Sequence, residues 1–260
     1  MQDSPLMQRV FSVIGALQNV LCKGMELDIR TFPRNMESLI VYSLEIPVVR
    51  IQDLTLAAAS RYLCALRGKT EAFNEINNRN LYGLLHIGPP CNIIFVREDL
   101  PAHIRNYVLA HELGHFLIDV FSVRHLWLKT FPEQRDAIER AFKWQEANAL
   151  LDLQVLIKGL PPRPRAITSR GEEMAPGTSE REIQADLFAR EFMAPLQLVS
   201  DLFRANAGAD FIKLLREQFG LPQRIAKGYY LELRLWLEPK ADFIERLFAP
   251  LLISENKNSQ

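Results

Sequence analysis

Residues 102–118 read AHIRNYVLAHELGHFLI, an apolar helical pattern that carries His111, Glu112 and His115. Residues four apart on a helix lie on one face, so both imidazoles can reach one metal ion at about 2.0–2.1 Å. Glu112 lies beside them and can act as general base towards a water on that metal. The alternative is an amphipathic helix with incidental histidines. Polar side chains in so apolar a helix require a reason, which favours the metal site.

The spacing His-Glu-x-x-His is typical of zinc peptidases, whose catalytic metal usually has a third protein ligand. A His-x-x-Gly-x-x-His extension is absent, because Ile118 and Phe121 occupy the places of its glycine and last histidine. A downstream carboxylate is therefore needed, and Glu182 is the best candidate. Ser179 to Glu182 also fits a helix capping box, and spacing alone leaves both interpretations open.

The segment around Glu182 predicts a second helix over about residues 180–193. Glu182, Ala185, Asp186 and Ala189 share one face of it. The two alanines would let this helix approach the first one closely. Asp186 lies one turn after Glu182 and could accept the free N–H of a metal-bound histidine, which would orient that imidazole.

Together the two motifs resemble the ImmA/IrrE metallopeptidases, in which an HELGH helix is followed by E-x-x-A-(N/D)-x-F-A-x-x-(L/F)-M-x-P. The matching residues are His111 to His115, then Glu182, Ala185, Asp186, Phe188, Ala189, Phe192, Met193 and Pro195. The strand Ile93 to Val96 and the turn Phe219-Gly220-Leu221-Pro222 are also similar. The resemblance spans about residues 50–236.

The resemblance implies an α+β, zincin-like fold that is mostly helical, with a small β-sheet and a helical C-terminal half. By it, His111, His115 and Glu182 are the Zn²⁺ ligands and Glu112 is the catalytic base of a zinc metalloendopeptidase. Family members of this kind cleave helix-turn-helix repressors in stress responses or mobile-element transfer. The implied partner is therefore a protein substrate of that class.

Peptide-bond hydrolysis at such a site also needs a segment that binds the substrate backbone and a donor to the oxyanion formed at the scissile carbonyl. The strand at residues 93–96 is expected to pair with an extended substrate backbone, since edge strands present unpaired N–H and C=O groups. The donor to the oxyanion is not identifiable from the sequence. Tyr229 and Tyr230 are candidates, and at least one of them is expected in the core.

The chain departs from the family pattern between its two motifs. Glu182 lies 67 positions after His115 (182 minus 115), which is longer than the family leads us to expect. We interpret residues 131–178 as an insertion that serves as a strut, or alternatively gates the cleft or binds a partner. The predicted organisation is an N-terminal helical or extended segment over 1–50, a metallopeptidase domain over 51–250 and a frayed tail over 251–260. No DNA-binding domain is expected before this core and no sensory domain after it.

Periodicity and turn residues predict the remaining elements. Residues 38–51 suggest a strand or a buried connector, Asp53 an N-cap for a helix to Leu66 closed by Gly68, and residues 161–178 a mobile loop. Strands are expected at 81–87 and 92–96, and helices at about 4–22, 132–158, 196–206, 209–219, 222–236 and 240–252.

Composition excludes several classes of protein. The 260 residues include 31 basic and 31 acidic side chains, a balance that argues against a nucleic-acid binder driven by bulk positive charge. Three cysteines, an odd number without CxxC spacing, argue against a disulfide framework or a cysteine-only zinc site and favour reduced thiols in the cytoplasm. No apolar run approaches the ~20 residues that a membrane span needs.

Two alternatives remain at this point. Residues 210–236 contain two helices around Phe219-Gly220, a layout like a helix-turn-helix, which would suit a DNA-binding or interaction regulator with a structural metal site. Glutamates dilute its basic residues, so direct nucleic-acid binding is not expected. Cys91 precedes the proposed substrate strand and could cap the zinc as a thiolate. The simpler interpretation of Cys91 is a reduced, half-buried thiol.

Overall fold

A computed structural model describes residues 8, 11, 14, 15, 31–68, 79–88, 91–142, 168–171, 180–205 and 209–237. Within them the fold is α+β and mostly helical, with one small sheet, as the sequence predicts. The chain divides into two compact units, Met1–Met193 and Ala194–Gln260, within the span for which the sequence predicts one domain.

The first unit contains all the strands of the described residues. In chain order its elements are α1 (Met36–Leu44), β1 (Val48–Ile51), α2 (Leu56–Leu66), β2 (Leu81–His86), β3 (Ile93–Arg97), α3 (Ala102–Phe116), a π-helical segment (Leu117–Phe121), α4 (Ser122–Thr130), a 3-10 turn (Pro132–Gln134), α5 (Arg135–Phe142), β4 (Thr168–Gly171) and α6 (Glu180–Met193). None of the described helices is both long and apolar enough to cross a membrane.

The sheet has the order β1-β3-β2-β4. β1 runs parallel to β3, while β2 is antiparallel to both β3 and β4. The four apolar residues that begin β3 are fully buried, which is typical of a strand covered on both faces. Because β3 is hydrogen-bonded on both sides, the expectation that it pairs with a substrate backbone is wrong. The outer strands of the described sheet are β1 and β4.

Residues 168–171 correct the expectation of a mobile loop over 161–178, because they form β4. Their sequence, Thr-Ser-Arg-Gly, has no apolar alternation. The strand is held by backbone pairing with β2, as in the register Leu84 to Ser169, and a side-chain pattern does not reveal such pairing.

Two other boundaries differ from the expectation for local reasons. The helix expected from Asp53 begins at Leu56, because the Thr55 hydroxyl oxygen accepts the Ala58 N–H (3.1 Å) and is the N-cap. Gly68 follows this helix with a φ of 63°, as predicted. Residues 38–51 are the end of α1 followed by β1 rather than one extended segment.

The second unit contains α7 (Leu196–Ala205), α8 (Ala209–Glu217) and α9 (Gln223–Leu237), each within two residues of its predicted bounds. Gly220 ends the α8 turn in the left-handed region (φ 70°), and its N–H is donated to the Arg216 carbonyl (3.1 Å). Positions 8, 11, 14 and 15 of the helix predicted at 4–22 are helical. The rest of that helix, residues 143–158 of another, and the predicted 240–252 helix and 251–260 tail lie outside the described residues.

Candidate metal centre

Helix α3 carries three of the predicted site residues in the interior of the first unit. His111, Glu112 and His115 are at most 1% exposed. The helix is buried along Tyr107 to His115 because it packs on β2, on β3 and above all on α6. The side chains that the sequence singles out are therefore held by packing on two sides.

A close helix crossing brings Glu182 to these histidines. A Cβ atom added at Gly114 would lie 3.1 Å from the Ala185 Cα atom and 3.1 Å from Phe188 Cδ1, so the two backbones nearly touch. Ala185 and Ala189 are fully buried, and small residues at a crossing permit this approach. The expectation that these alanines allow a close approach is met.

The three candidate ligands form a small triangle. His111 Nε2 lies 3.1 Å from His115 Nε2, and each Nε2 atom lies 3.3 Å from one carboxylate oxygen of Glu182. Two bonds of 2.0–2.1 Å at a tetrahedral angle would separate ligand atoms by about 3.3 Å. His111, His115 and Glu182 thus form a group that could hold a metal ion.

Exposure indicates from which side this group can be reached. The histidine side chains are 2% exposed, whereas the Glu182 side chain is 26% exposed. Solvent therefore reaches the group at the carboxylate of α6, and the imidazoles are enclosed by protein.

Asp186 lies against the first histidine. Its Oδ1 atom is 2.9 Å from His111 Nδ1 and accepts a hydrogen bond from the Tyr107 hydroxyl (3.3 Å). With Nδ1 turned to a carboxylate, the Nε2 atom of His111 is the one directed at the ligand group. This is the placement that the sequence predicts for Asp186.

Asp119 is a carboxylate beside the group that the sequence motifs do not include. Its Oδ2 atom lies 3.8 Å from His115 Nδ1, and its Oδ1 atom lies 3.8 Å from Arg181 Nε. The available signal was its position four residues after His115, which places both on one helical face. That spacing alone does not distinguish Asp119 from an ordinary surface acid.

Gly83 is the second residue that sequence reasoning missed. A Cβ atom there would lie 2.5 Å from Val108 Cγ1 and 2.8 Å from Glu112 Oε1, so strand β2 approaches α3 where Glu112 lies. A glycine in a strand often marks a close approach of this kind. Its neighbour Tyr82 lies at an irregularity in the β2–β4 register.

The carboxylates and imidazoles of this group shift one another's pKa values towards the charged forms. Burial lowers the pKa of His115, but the carboxylates of Asp119, Glu182 and Glu112 around its ring outweigh burial and raise it to about 9. Burial also lowers the pKa of His111, and its bonds to Asp186 and Glu182 again give a net rise. Burial raises the pKa of Glu182, yet both histidines hold it well below the usual range. The acidic side chains thus make this a site that favours positive charge.

The other singled-out residues lie elsewhere. Tyr229 is buried in the second unit, where its hydroxyl donates to the Ala194 carbonyl (3.2 Å), and Tyr230 contacts the Phe203 ring. Cys91 is a free, half-buried thiol beside the apolar cluster of Leu54, Ala59, Leu81, Leu84, Ile93 and Phe95. In the described part of the chain Cys91 does not belong to the metal-binding group, so a thiolate cap has no support.

No protein-family model matches the chain, and no curated protein matches it significantly. The resemblance to ImmA/IrrE metallopeptidases therefore stays a prediction from the two motifs.

Proposed function

We propose that this protein is a zinc metalloendopeptidase in which His111, His115 and Glu182 hold the metal and Glu112 transfers the proton. The ligand triangle beside the buried Glu112 carries this proposal. Two histidines and one carboxylate are typical of catalytic zinc sites, which keep a fourth position open, whereas structural sites are rich in cysteine and closed. The exposed side of Glu182 provides the direction from which a substrate would enter.

The chemistry divides between the metal and the chain. A zinc ion held here would supply a Lewis acid and a water of lowered pKa. Glu112 would accept the proton of the attacking water and return it to the leaving amine. Asp186 and Tyr107 would hold the His111 ring in its orientation.

The substrate class rests on the motif resemblance, which implies a helix-turn-helix repressor. An extended peptide that adds to the sheet must use an outer strand. We favour β4, because its neighbour β2 is the strand that packs most extensively on α3. The protein is proposed to act in the cytoplasm, where it would encounter a transcriptional repressor.

The test is the variant Glu112→Gln, which keeps the shape of the side chain and removes the base. We expect it to bind zinc as the wild type does and to cleave a helix-turn-helix repressor substrate about 10²–10⁴-fold more slowly. Mass spectrometry of the products and metal analysis of both proteins measure this. Undiminished cleavage by zinc-loaded Glu112→Gln would refute the mechanism. Zinc-free protein with a salt-dependent DNA gel shift would instead favour the regulator alternative.

A further inference from the structure

The π-helical segment contains a carboxylate, that of Asp119, in largely apolar and buried surroundings. Asp119 is the one charged residue in Leu117–Phe121, and the three aliphatic residues of the segment are buried. Its side chain is only 12% exposed. A carboxylate so enclosed needs polar partners, because burial of an unpaired charge is costly. Single π-helical turns are frequently found at functional sites.

Asp119 has two charged neighbours of unequal character. Arg181 is 55% exposed, and an ion pair with so exposed a side chain contributes little. His115 is 2% exposed, and it turns Nδ1 towards Asp119 and Nε2 towards Glu182. The enclosed partner of Asp119 is therefore the histidine.

The two histidines then have matching surroundings. Each directs Nε2 at Glu182 and Nδ1 at an aspartate, which is Asp186 for His111 and Asp119 for His115. A carboxylate at Nδ1 favours the tautomer with the proton on that atom, which leaves Nε2 free to bind a metal. The Asp186 carboxylate is within hydrogen-bond distance of His111 (2.9 Å), whereas the Asp119 carboxylate faces His115 at 3.8 Å, an electrostatic contact that is the weaker of the two.

We propose that Asp119 is a positioning residue for His115, whose ring it orients so that Nε2 is presented to a metal ion. The inference rests on the proposed metal site. It deepens that proposal by assigning a role to a residue that the two motifs do not include. It also ranks the two aspartates: removal of Asp119 weakens zinc binding less than removal of Asp186.

The experiment measures the zinc affinity of the full chain by competition with a chromophoric chelator at one neutral pH. Loss of a carboxylate behind a metal-bound histidine typically lowers affinity about 10–100-fold. We expect Asp119→Asn near the lower end, Asp186→Asn near the upper end, and Asp119→Glu closer to wild type than Asp119→Asn. The thermal midpoint of each metal-free variant serves as the measure of folding.

Two control variants separate positioning of His115 from general stability. Arg181→Gln removes the exposed partner of Asp119 and keeps its contact with His115. Glu139→Gln removes a partly buried ion pair with Arg124 on α4 and α5 that involves no histidine. Both are expected to bind zinc within about twofold of wild type, since such pairs contribute little.

The outcomes distinguish this inference from the proposed function. Wild-type affinity in folded Asp119→Asn overturns the role of Asp119 and leaves the metal site intact. An equal loss in Asp119→Asn and Arg181→Gln also overturns it, because the effect would then run through the contact with α6. If Asp119→Asn does not fold, Asp119→Ser is measured and interpreted in the same way. A wild-type protein that binds no zinc removes both proposals.

Discussion

Gly83 and Glu112 show how a single missing side chain can determine the position of a catalytic candidate. A glycine in the middle of β2 costs strand stability, because it adds conformational freedom to the unfolded chain and has no side chain to pack. The structure explains its presence by space, since a Cβ atom would overlap Val108 and the Glu112 carboxylate. Val108 cannot move easily, because its branched side chain is restricted in a helix.

We therefore expect Gly83→Ala to displace Glu112 while leaving the ligands in place. A misplacement of about 1 Å can reduce catalysis about 10²-fold, so cleavage should fall by that order while zinc affinity stays near wild type. Parallel measurement of cleavage rate and zinc affinity tests this. Equal losses of both would show that the whole site, and not the base alone, has moved.

At the level of single residues, sequence spacing correctly predicted the helical face on which each candidate site residue lies. His111, Glu112, His115 and Asp186 lie on helices, where spacing fixes the face of each side chain. Gly83 could not be found this way, because its role arises from a strand and a helix that meet only in the folded chain.

At the level of elements, the crossing of α3 and α6 holds the two halves of the ligand group together. At Gly114 the two helices lie very close together, and the atoms that a Cβ would meet include the Ala185 Cα and carbonyl oxygen (3.1 and 3.2 Å). Backbone atoms cannot rotate away, so the helices themselves must separate. Glu182 lies on one helix and both histidines on the other, so separation of the helices stretches the ligand triangle.

Gly114→Ala should therefore weaken zinc binding and lower the free energy of unfolding by about 1–3 kcal/mol, a typical cost of overpacking. The matched control is Gly228→Ala on α9, where an added Cβ meets nothing within 4 Å. Alanine there should stabilise the protein by about 0.4–1 kcal/mol and leave zinc binding unchanged. Urea unfolding and chelator competition measure both. A Gly114→Ala protein with wild-type zinc affinity would contradict the role of the crossing.

Sequence patterns predicted some of the secondary-structure elements and missed others. The bounds of the helices α6 to α9 were predicted to within about two residues. The reason is that the helical spacing of apolar side chains in the sequence indicates which face is buried. β4 was missed, since its backbone pairing with β2 leaves no mark on the sequence Thr168 to Gly171. The sequence located the buried strand β3, but its place between β1 and β2 depends on a parallel pairing from a distant segment.

For the molecule as a whole, metal binding, protonation and stability are linked through the same side chains. At neutral pH we expect the metal-free protein to hold a proton on His115, whose pKa is raised from 6.5 to about 9. A group with a raised folded-state pKa stabilises the fold fully below its unfolded value of 6.5. That contribution is lost as the pH rises through about 9. This proton competes with the metal for His115, because zinc binds only the neutral imidazole.

Zinc must therefore displace at least one proton at neutral pH, and this fixes the sign of the pH dependence. From pH 6.5 towards 9 the metal-free protein should become less stable, whereas zinc affinity should rise by up to about tenfold per pH unit for each proton displaced. A ligand that binds only the folded state raises stability with its affinity, so the zinc-induced rise in the thermal midpoint should grow over this window. Thermal unfolding with and without zinc at several pH values measures it. Glu182→Gln, which lacks one ligand charge, should show a much smaller rise throughout. A zinc-induced rise that is constant with pH would mean that zinc does not bind at these histidines.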